Sequence, residues 1–312
     1  AAACKTIDYI LLDIKHFGLK PFIWREKGKI DTPFIIILRT VASWLRPLIF
    51  IVPFLRKSDI IIAPSAYARE SFLRITKKFK VHTMPHCLDV LKIQDTVKHI
   101  LPPSDERILT YMGRLEEEKG IKLLLECMPE LVREVKNLSL HIIGPLSGNA
   151  INDKESSYTK KIKKFIKKSK LEKYVKFHGL QLEPDKYKIL SRSHVFINPS
   201  LNPTETFGVS NIEAMACGLP VIATKVGAFS EAIKNGKNGF LIDTCRNADG
   251  SAKIKKDELI HLVKKLFRDR ALYNSIRINA KREALKYDYR IVMPQLLALL
   301  KRKKRKSNKN KW

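Results

Sequence analysis

From Ile108 onward the apolar positions switch between two periods. Short β-rich runs occur at Ile108–Met112, Leu140–Ile143, Val175–His178, Val195–Asn198, Val221–Thr224 and Phe240–Ile242. Between most of them, as at Gly120–Val135, Thr159–Leu171 and Val209–Ala216, apolar residues recur at helical spacing. Strands alternating with helices predict a parallel sheet covered on both faces. Several runs end on glycine, at Gly113, Gly144-Pro145 and Gly179. Ligands of such sheets bind just beyond the carboxyl ends of the strands.

The first hundred residues are patterned more sparsely. The stretch before Gly18 reads as a helix, and Pro21–Trp24, Asp59–Ala63 and Lys80–Met84 read as strands. Three strands make a thin sheet, so the expectation is a domain that lacks its opening βαβ units. Two prolines in Leu101-Pro102-Pro103-Ser104 mark a boundary. The predicted organisation is a partial N-terminal domain over residues 1–103, a second domain over 104–285, and a C-terminal helix with a basic tail over 286–312.

One apolar stretch, Pro33–Leu55, is interrupted by Arg39, Arg46, Pro47 and Pro53. A spanning helix needs about 20 uninterrupted apolar residues, which excludes a membrane span. Two readings remain, a buried helix pair packed between domains and an interfacial segment with its arginines at lipid headgroups.

Composition is that of a globular chain, with 45% hydrophobic and 29% charged residues among 312. Charge changes the picture: 60 Lys+Arg against 31 Asp+Glu give a net +29. Such a surface favours an anionic partner, whether nucleic acid, anionic lipid or a phosphorylated substrate. Lysines crowd Thr159–Leu171, and eight of the last twelve residues are Lys or Arg. No recognised nucleic-acid-binding motif accompanies them, so no nucleic-acid partner is expected. Five scattered cysteines without a CxxC pair fit reduced thiols in a cytoplasmic setting.

Two segments carry chemistry. Asn198–Thr224, NPSLNPTETFGVSNIEAMACGLPVIAT, reads strand, loop, helix, turn, strand. The helix is predicted to start at Gly208-Val209, where unpaired amides at the sheet's carboxyl edge make a site for phosphate. Glu205 in the loop and Glu213 in the helix are suited to hydrogen-bond sugar hydroxyls, since a carboxylate is a strong acceptor; either one taken alone reads better as a solvated loop residue and a salt-bridged helix residue respectively. Gly113-Arg114-Leu-Glu-Glu-Glu-Lys119-Gly120 follows the strand Ile108–Met112. Its Arg fork and Lys point charge suit a diphosphate, while the Lys-Gly pair taken alone reads as a charged surface loop.

Together these segments resemble the family 4 glycosyltransferases, which have the α/β GT-B fold of two Rossmann-like domains facing a cleft. The resemblance rests on GRLEEEKG at 113–120, on Glu205 and Glu213 with seven residues between them, on ETFGVSNIEAMACGLPVIAT, and on VGAFSEAIKNGKNGFLID at 226–243. APSAYARES at 63–71 and MPHCLDV at 84–90 look like the end of that family's N-terminal domain. The resemblance implies a UDP- or GDP-sugar donor as substrate, with Arg114 and Lys119 on its diphosphate. It places Glu205 on the donor sugar, backbone groups of Gly113 and Phe207-Gly208-Val209 on the donor, and Glu213 on the ribose. It further implies transfer with retention to a glycan, envelope or lipid-linked acceptor. Basic side chains and helix dipoles can neutralise the departing diphosphate, and no DxD-type cluster is present, so neither metal nor cofactor is expected. The expected location is cytoplasmic, peripheral on an anionic membrane face. The sequence departs from the family in lacking an opening strand with a Gly-rich loop before Pro21, and a His on the strand Pro21–Trp24; His16 reads as an ordinary helix residue. A non-catalytic nucleotide-sugar-binding fragment and a basic nucleic-acid-binding protein are the alternatives.

Overall fold

The computed structural model describes residues 10–13, 20–28, 32–38, 52–147, 155–246 and 252–309. The chain divides into two compact units, one of residues 1–87, 203–207 and 290–312, the other of residues 88–202 and 208–289.

The first unit holds a four-stranded parallel sheet in the order β1 (Ile10–Asp13), β2 (Phe34–Ile37), β3 (Ile60–Ala63), β4 (Val81–Thr83). Its middle strands are unbroken apolar runs because both faces are covered. Phe34, Ile36, Ile61 and Ala63 face one cluster with Phe22 and Phe72. Ile35, Ile60 and Ile62 face the other way, onto Leu296, Leu299 and Leu300 of the last helix. Buried Asp59 accepts the backbone N–H groups of Phe34 and Arg56, each at 2.9 Å, which fixes the entry into β2 and β3.

Three sequence expectations are corrected here. Pro21–Trp24 is not a strand but part of helix α1 (Lys20–Glu26). A proline is tolerated in a helix's first turn. One-sided burial also fits a helix, since Phe22 packs edge-on against Phe34 at 5.3 Å while Ile23 and Trp24 are exposed. Ahead of Gly18 the described residues form strand β1 rather than a helix, so a strand does precede Pro21 and the sheet has four strands where three were expected. With Pro21–Trp24 helical, the strand expected to carry a histidine is not there, and His16 lies outside the described residues. Finally, the apolar stretch Pro33–Leu55, read as a helix pair or an interfacial segment, opens with strand β2 and ends in a short 3-10 turn, Val52–Phe54; residues 39–51, the rest of that reading, lie outside the described set.

Helix α2 (Ala66–Leu73) follows β3, capped by Ser65, whose hydroxyl accepts the Ala68 N–H. After β4, helix α3 (Val90–Val97) opens the second unit. There a six-stranded parallel sheet runs β10 (Gly239–Ile242), β9 (Val221–Thr224), β8 (Val195–Asn198), β5 (Arg107–Met112), β6 (Leu138–Ile143), β7 (Val175–Gly179). The order reverses at β5 and β8, the switch point where ligands of such sheets bind. Helices α4 (Ile121–Glu134) and α5 (Ser157–Lys168) connect the β5 side. On the β8 side, α6 (Asp185–Ser191), α7 (Val209–Ala216) and α8 (Phe229–Ala232) make the crossovers. A short antiparallel pair, β11 (Thr244–Arg246) with β12 (Ala252–Ile254), leads into α9 (Lys256–Arg268) and α10 (Arg270–Ala284). The core of this unit joins Leu109, Leu124, Leu140 and Ile197 of the sheet and α4 to Val263 and Ile276 of α9 and α10. The last helix, α11 (Tyr289–Lys309), returns to the first unit from Arg290 on.

Candidate active site

At the switch point two loops are held against each other by backbone. The first runs from Gly113 to Gly120, and the second leaves β8 at Pro199-Ser200. Gly120 has φ +71°, and a Cβ there would stand 1.9 Å from the Pro199 carbonyl oxygen. Only glycine permits that approach. Hydrogen bonds complete the seam: Leu201 N–H donates to the Glu118 carbonyl at 2.8 Å, and the Asn202 amide to the Glu118 carboxylate at 2.9 Å. Thr224, at the end of β9, donates its hydroxyl to the Ser200 carbonyl.

This seam fixes the backbone carrying the predicted cations. Tyr111 Oη donates to the Arg114 carbonyl at 2.8 Å, and Gly113 N–H donates to Ile143 O at 2.9 Å. Leu115 is buried and anchors the loop, while the Arg114 guanidinium stays half in solvent, ion-paired to Glu116. Lys119 closes the 3-10 turn Glu117–Lys119 and is half-buried.

Helix α7 begins at Gly208, whose φ of +86° turns the chain into the helix. A Cβ at Gly208 would lie 2.7 Å from the Phe229 ring. Val209 is exposed at the helix start. Inside the helix Asn211 accepts the Asn198 amide at 2.8 Å and ties α7 to β8. Glu213 is buried one turn in, with its Oε1 2.7 Å from Lys186 Nζ and 3.4 Å from Tyr187 Oη. Burial, the hydrogen bond to Glu183 and the Glu213 charge all push the Tyr187 phenol up, so it stays protonated. Burial, then the same carboxylate, raises the Cys217 thiol above its ordinary range.

Of the predicted residues, Gly113, Arg114, Lys119, Gly208, Val209 and Glu213 thus fall in the second unit, on two loops joined at the carboxyl edge of its sheet. Glu205 and Phe207 belong to the short segment 203–207 that clusters with the first unit. There Tyr67 Oη donates to the Pro203 carbonyl at 2.5 Å, and the His86 ring meets Phe207 edge-on at 5.2 Å. Sequence reasoning missed Glu118, Lys186 and Tyr187. In a chain with 60 Lys+Arg, Lys186 carried no signal of its own. Among the described residues no group of three His, Cys, Asp or Glu is placed to hold a metal ion.

The family model for glycosyl transferases group 1 matches residues 93–283, the stretch that holds this seam. The chain belongs to that family. Sucrose synthase of Melioribacter roseus is 30% identical over 216 residues, covering 66% of this chain. The chain spans about a quarter of that relative's length (26%). Among solved structures, HepE of Anabaena in complex with UDP and glucose aligns with a TM-score of 0.76 at 19% identity, over 94% of this chain and 78% of that one. A glycosyltransferase from Rickettsia africae aligns with a TM-score of 0.76 at 18% identity, over 95% of this chain and 77% of that one. At such identities the likeness establishes the fold, which is GT-B, as the family resemblance implied.

Proposed function

We propose that the group 1 chain transfers a sugar from a UDP- or GDP-sugar to a glycan, envelope or lipid-linked acceptor, with retention at the anomeric carbon as in family 4. The observation that carries this reading is the glycine-sealed seam, which sets Arg114 and Lys119 and the start of α7 on one edge of one sheet. A diphosphate needs cations and unpaired amides in that arrangement.

In this reading the bond from the anomeric carbon to the diphosphate oxygen breaks. The acceptor hydroxyl adds on the same face, and its proton leaves with the nucleoside diphosphate. Arg114, Lys119 and the amides of Gly208-Val209 stabilise the charge that develops on the leaving group, the term that dominates most such catalysis. Glu205 accepts hydrogen bonds from the donor sugar and Glu213 from the ribose. No metal or cofactor enters this scheme.

Membrane association belongs to the same proposal. Six lysines of α5 (Lys160, Lys161, Lys163, Lys164, Lys167, Lys168) are exposed while Ile162 and Ile166 are buried, so one face of the helix is strongly basic. Among the described residues no helix is long and apolar enough to cross a membrane. Each basic residue near an anionic surface contributes about 1 kcal/mol, which supports peripheral binding on a cytoplasmic leaflet. Weaker sedimentation with anionic liposomes after deletion of residues 301–312 would support it, and full-length protein that ignores such liposomes at low salt would refute it.

Catalysis is tested by Glu205→Gln, with release of nucleoside diphosphate from a panel of UDP- and GDP-sugars as the readout. The variant should lose most turnover and keep its affinity for the free nucleotide, which has no sugar to touch. Equal turnover in both proteins would remove Glu205 from the reaction.

A further inference from the structure

Glu213 is a carboxylate on the inner face of a helix, and a buried carboxylate is unstable unless paired. Its partners all come from one short segment, Glu183–Tyr187, at the start of α6. Lys186 Nζ lies 2.7 Å from Glu213 Oε1 and 3.5 Å from Glu183 Oε1. The Lys186 ammonium also sits 4.8 Å from the centre of the Tyr187 ring. Tyr187 has a single proton to donate, and it goes to Glu183 at 2.8 Å rather than to Glu213 at 3.4 Å. One ammonium therefore bridges two carboxylates, and an aromatic ring walls it in. The side chains of the pair are only 19% and 9% exposed, so solvent screens the attraction weakly.

The geometry has a direction. The ion pair and the hydroxyl contact both fall on Oε1. Neither contact falls on Oε2.

We propose that Lys186 is a positioning residue for nucleotide recognition: by clamping Oε1 of Glu213 it holds the carboxylate in place and turns Oε2 toward the ribose diol. The inference rests on the reading of Glu213 as the ribose ligand. Lys186 itself touches no nucleotide in this scheme. Its effect is confined to ligands that carry the diol, which separates it from a plain tie between α6 and α7.

The test is a ligand-paired titration on the full chain. UDP and 2′,3′-dideoxy-UDP, and GDP with its dideoxy form, are titrated into the wild type, Lys186→Met, Lys186→Arg and Glu213→Gln. Lys186→Met should weaken the ribonucleotide roughly tenfold or more, the scale of one hydrogen bond to a charged group. The dideoxy form should change less than about twofold, within the uncertainty of a site that has lost no contact. Lys186→Arg should restore most of the ribonucleotide affinity, because a guanidinium can also hold Oε1. Thermal melts show whether each variant is folded, and Lys186→Gln replaces Lys186→Met should the latter not fold. Equal losses on both nucleotides would overturn the inference by making Lys186 a general support. So would an unchanged Lys186→Met beside a weakened Glu213→Gln. A wild type that binds the ribo and dideoxy forms equally well would instead remove Glu213 from the ribose, and the inference with it.

Discussion

Gly120→Ala tests the seam that holds the two candidate-site loops together. Two costs are separable at this position. An alanine held at φ +71° pays the left-handed penalty, about 1–2 kcal/mol. Its Cβ would also stand 1.9 Å from the Pro199 oxygen, far inside the ~3.5 Å at which such atoms attract. Backbone lies on both sides, so the loops must part. Parting them removes the bonds of Leu201 and Asn202 to Glu118, each worth about 1 kcal/mol. The total comes to about 3–4 kcal/mol. Gly179→Ala is the control, since its φ is +67° and nothing lies within 4 Å of a Cβ there. It should cost only the strain, about 1–2 kcal/mol. Denaturant unfolding of both variants reads the difference directly, as shifts in midpoint at constant slope. Nucleoside diphosphate affinity should fall in Gly120→Ala and hold in Gly179→Ala. Equal destabilisation of the two variants would refute the claim that close backbone approach, not backbone conformation alone, selects glycine at position 120.

Three further outcomes follow from burial. His194, whose Nδ1 accepts the Ile108 N–H at 3.1 Å, is held down to about 4, mainly by burial and then by Arg107 and Arg277. Its folded value lies below the unfolded one, so its contribution to stability is complete above about pH 6.5 and is lost as pH falls toward 4; melts from pH 7.5 to 5 should show that slope, and His194→Gln should reduce it but not abolish it, because burial also holds His141 down to about 4. Burial pushes the Cys127 thiol up to about 12 and raises Cys217 further, so native-state alkylation followed by mass spectrometry should label Cys87 and Cys245 and spare those two. Leu296→Ala should destabilise the first unit by about 1–3 kcal/mol through lost contact with Ile35, Ile60 and Ile62, whereas Leu297→Ala, 52% exposed, should stay within about 0.5 kcal/mol in the same denaturant assay.

The second unit was legible because its strands are short β-branched runs cut by glycine. Val195–Asn198 and Val221–Thr224 are strands over the residues expected, and α7 starts at Val209 as its glycine signalled. The first unit was harder for a physical reason. A parallel strand buried on both faces has no alternation, so Phe34–Ile37 disappeared into a long apolar stretch that could equally have been helix. Lys20–Glu26 failed in the opposite way, since PFIW has strand-like composition while only tertiary contact, Phe22 on Phe34, sets its face. Of the candidate site, the residues fall into two groups. Residues whose type is demanded by backbone geometry or charge, such as Gly120, Gly208 and Arg114, stood out by spacing. Glu118 and Lys186 act through partners far along the chain, at Leu201 and Glu213, and no local pattern announces such a pairing.

Nucleotide binding at the seam is measured most directly by calorimetry. UDP, GDP and ADP are titrated into the full chain, its Arg114→Ala and Lys119→Ala variants, at low and high salt. At least one nucleotide should bind the wild type, both variants should bind it more weakly, and their deficit should shrink as salt rises, because the lost contacts are charge-assisted. No binding of any of the three at millimolar concentration, or affinity indifferent to both substitutions, would contradict the assignment of this seam as the donor site.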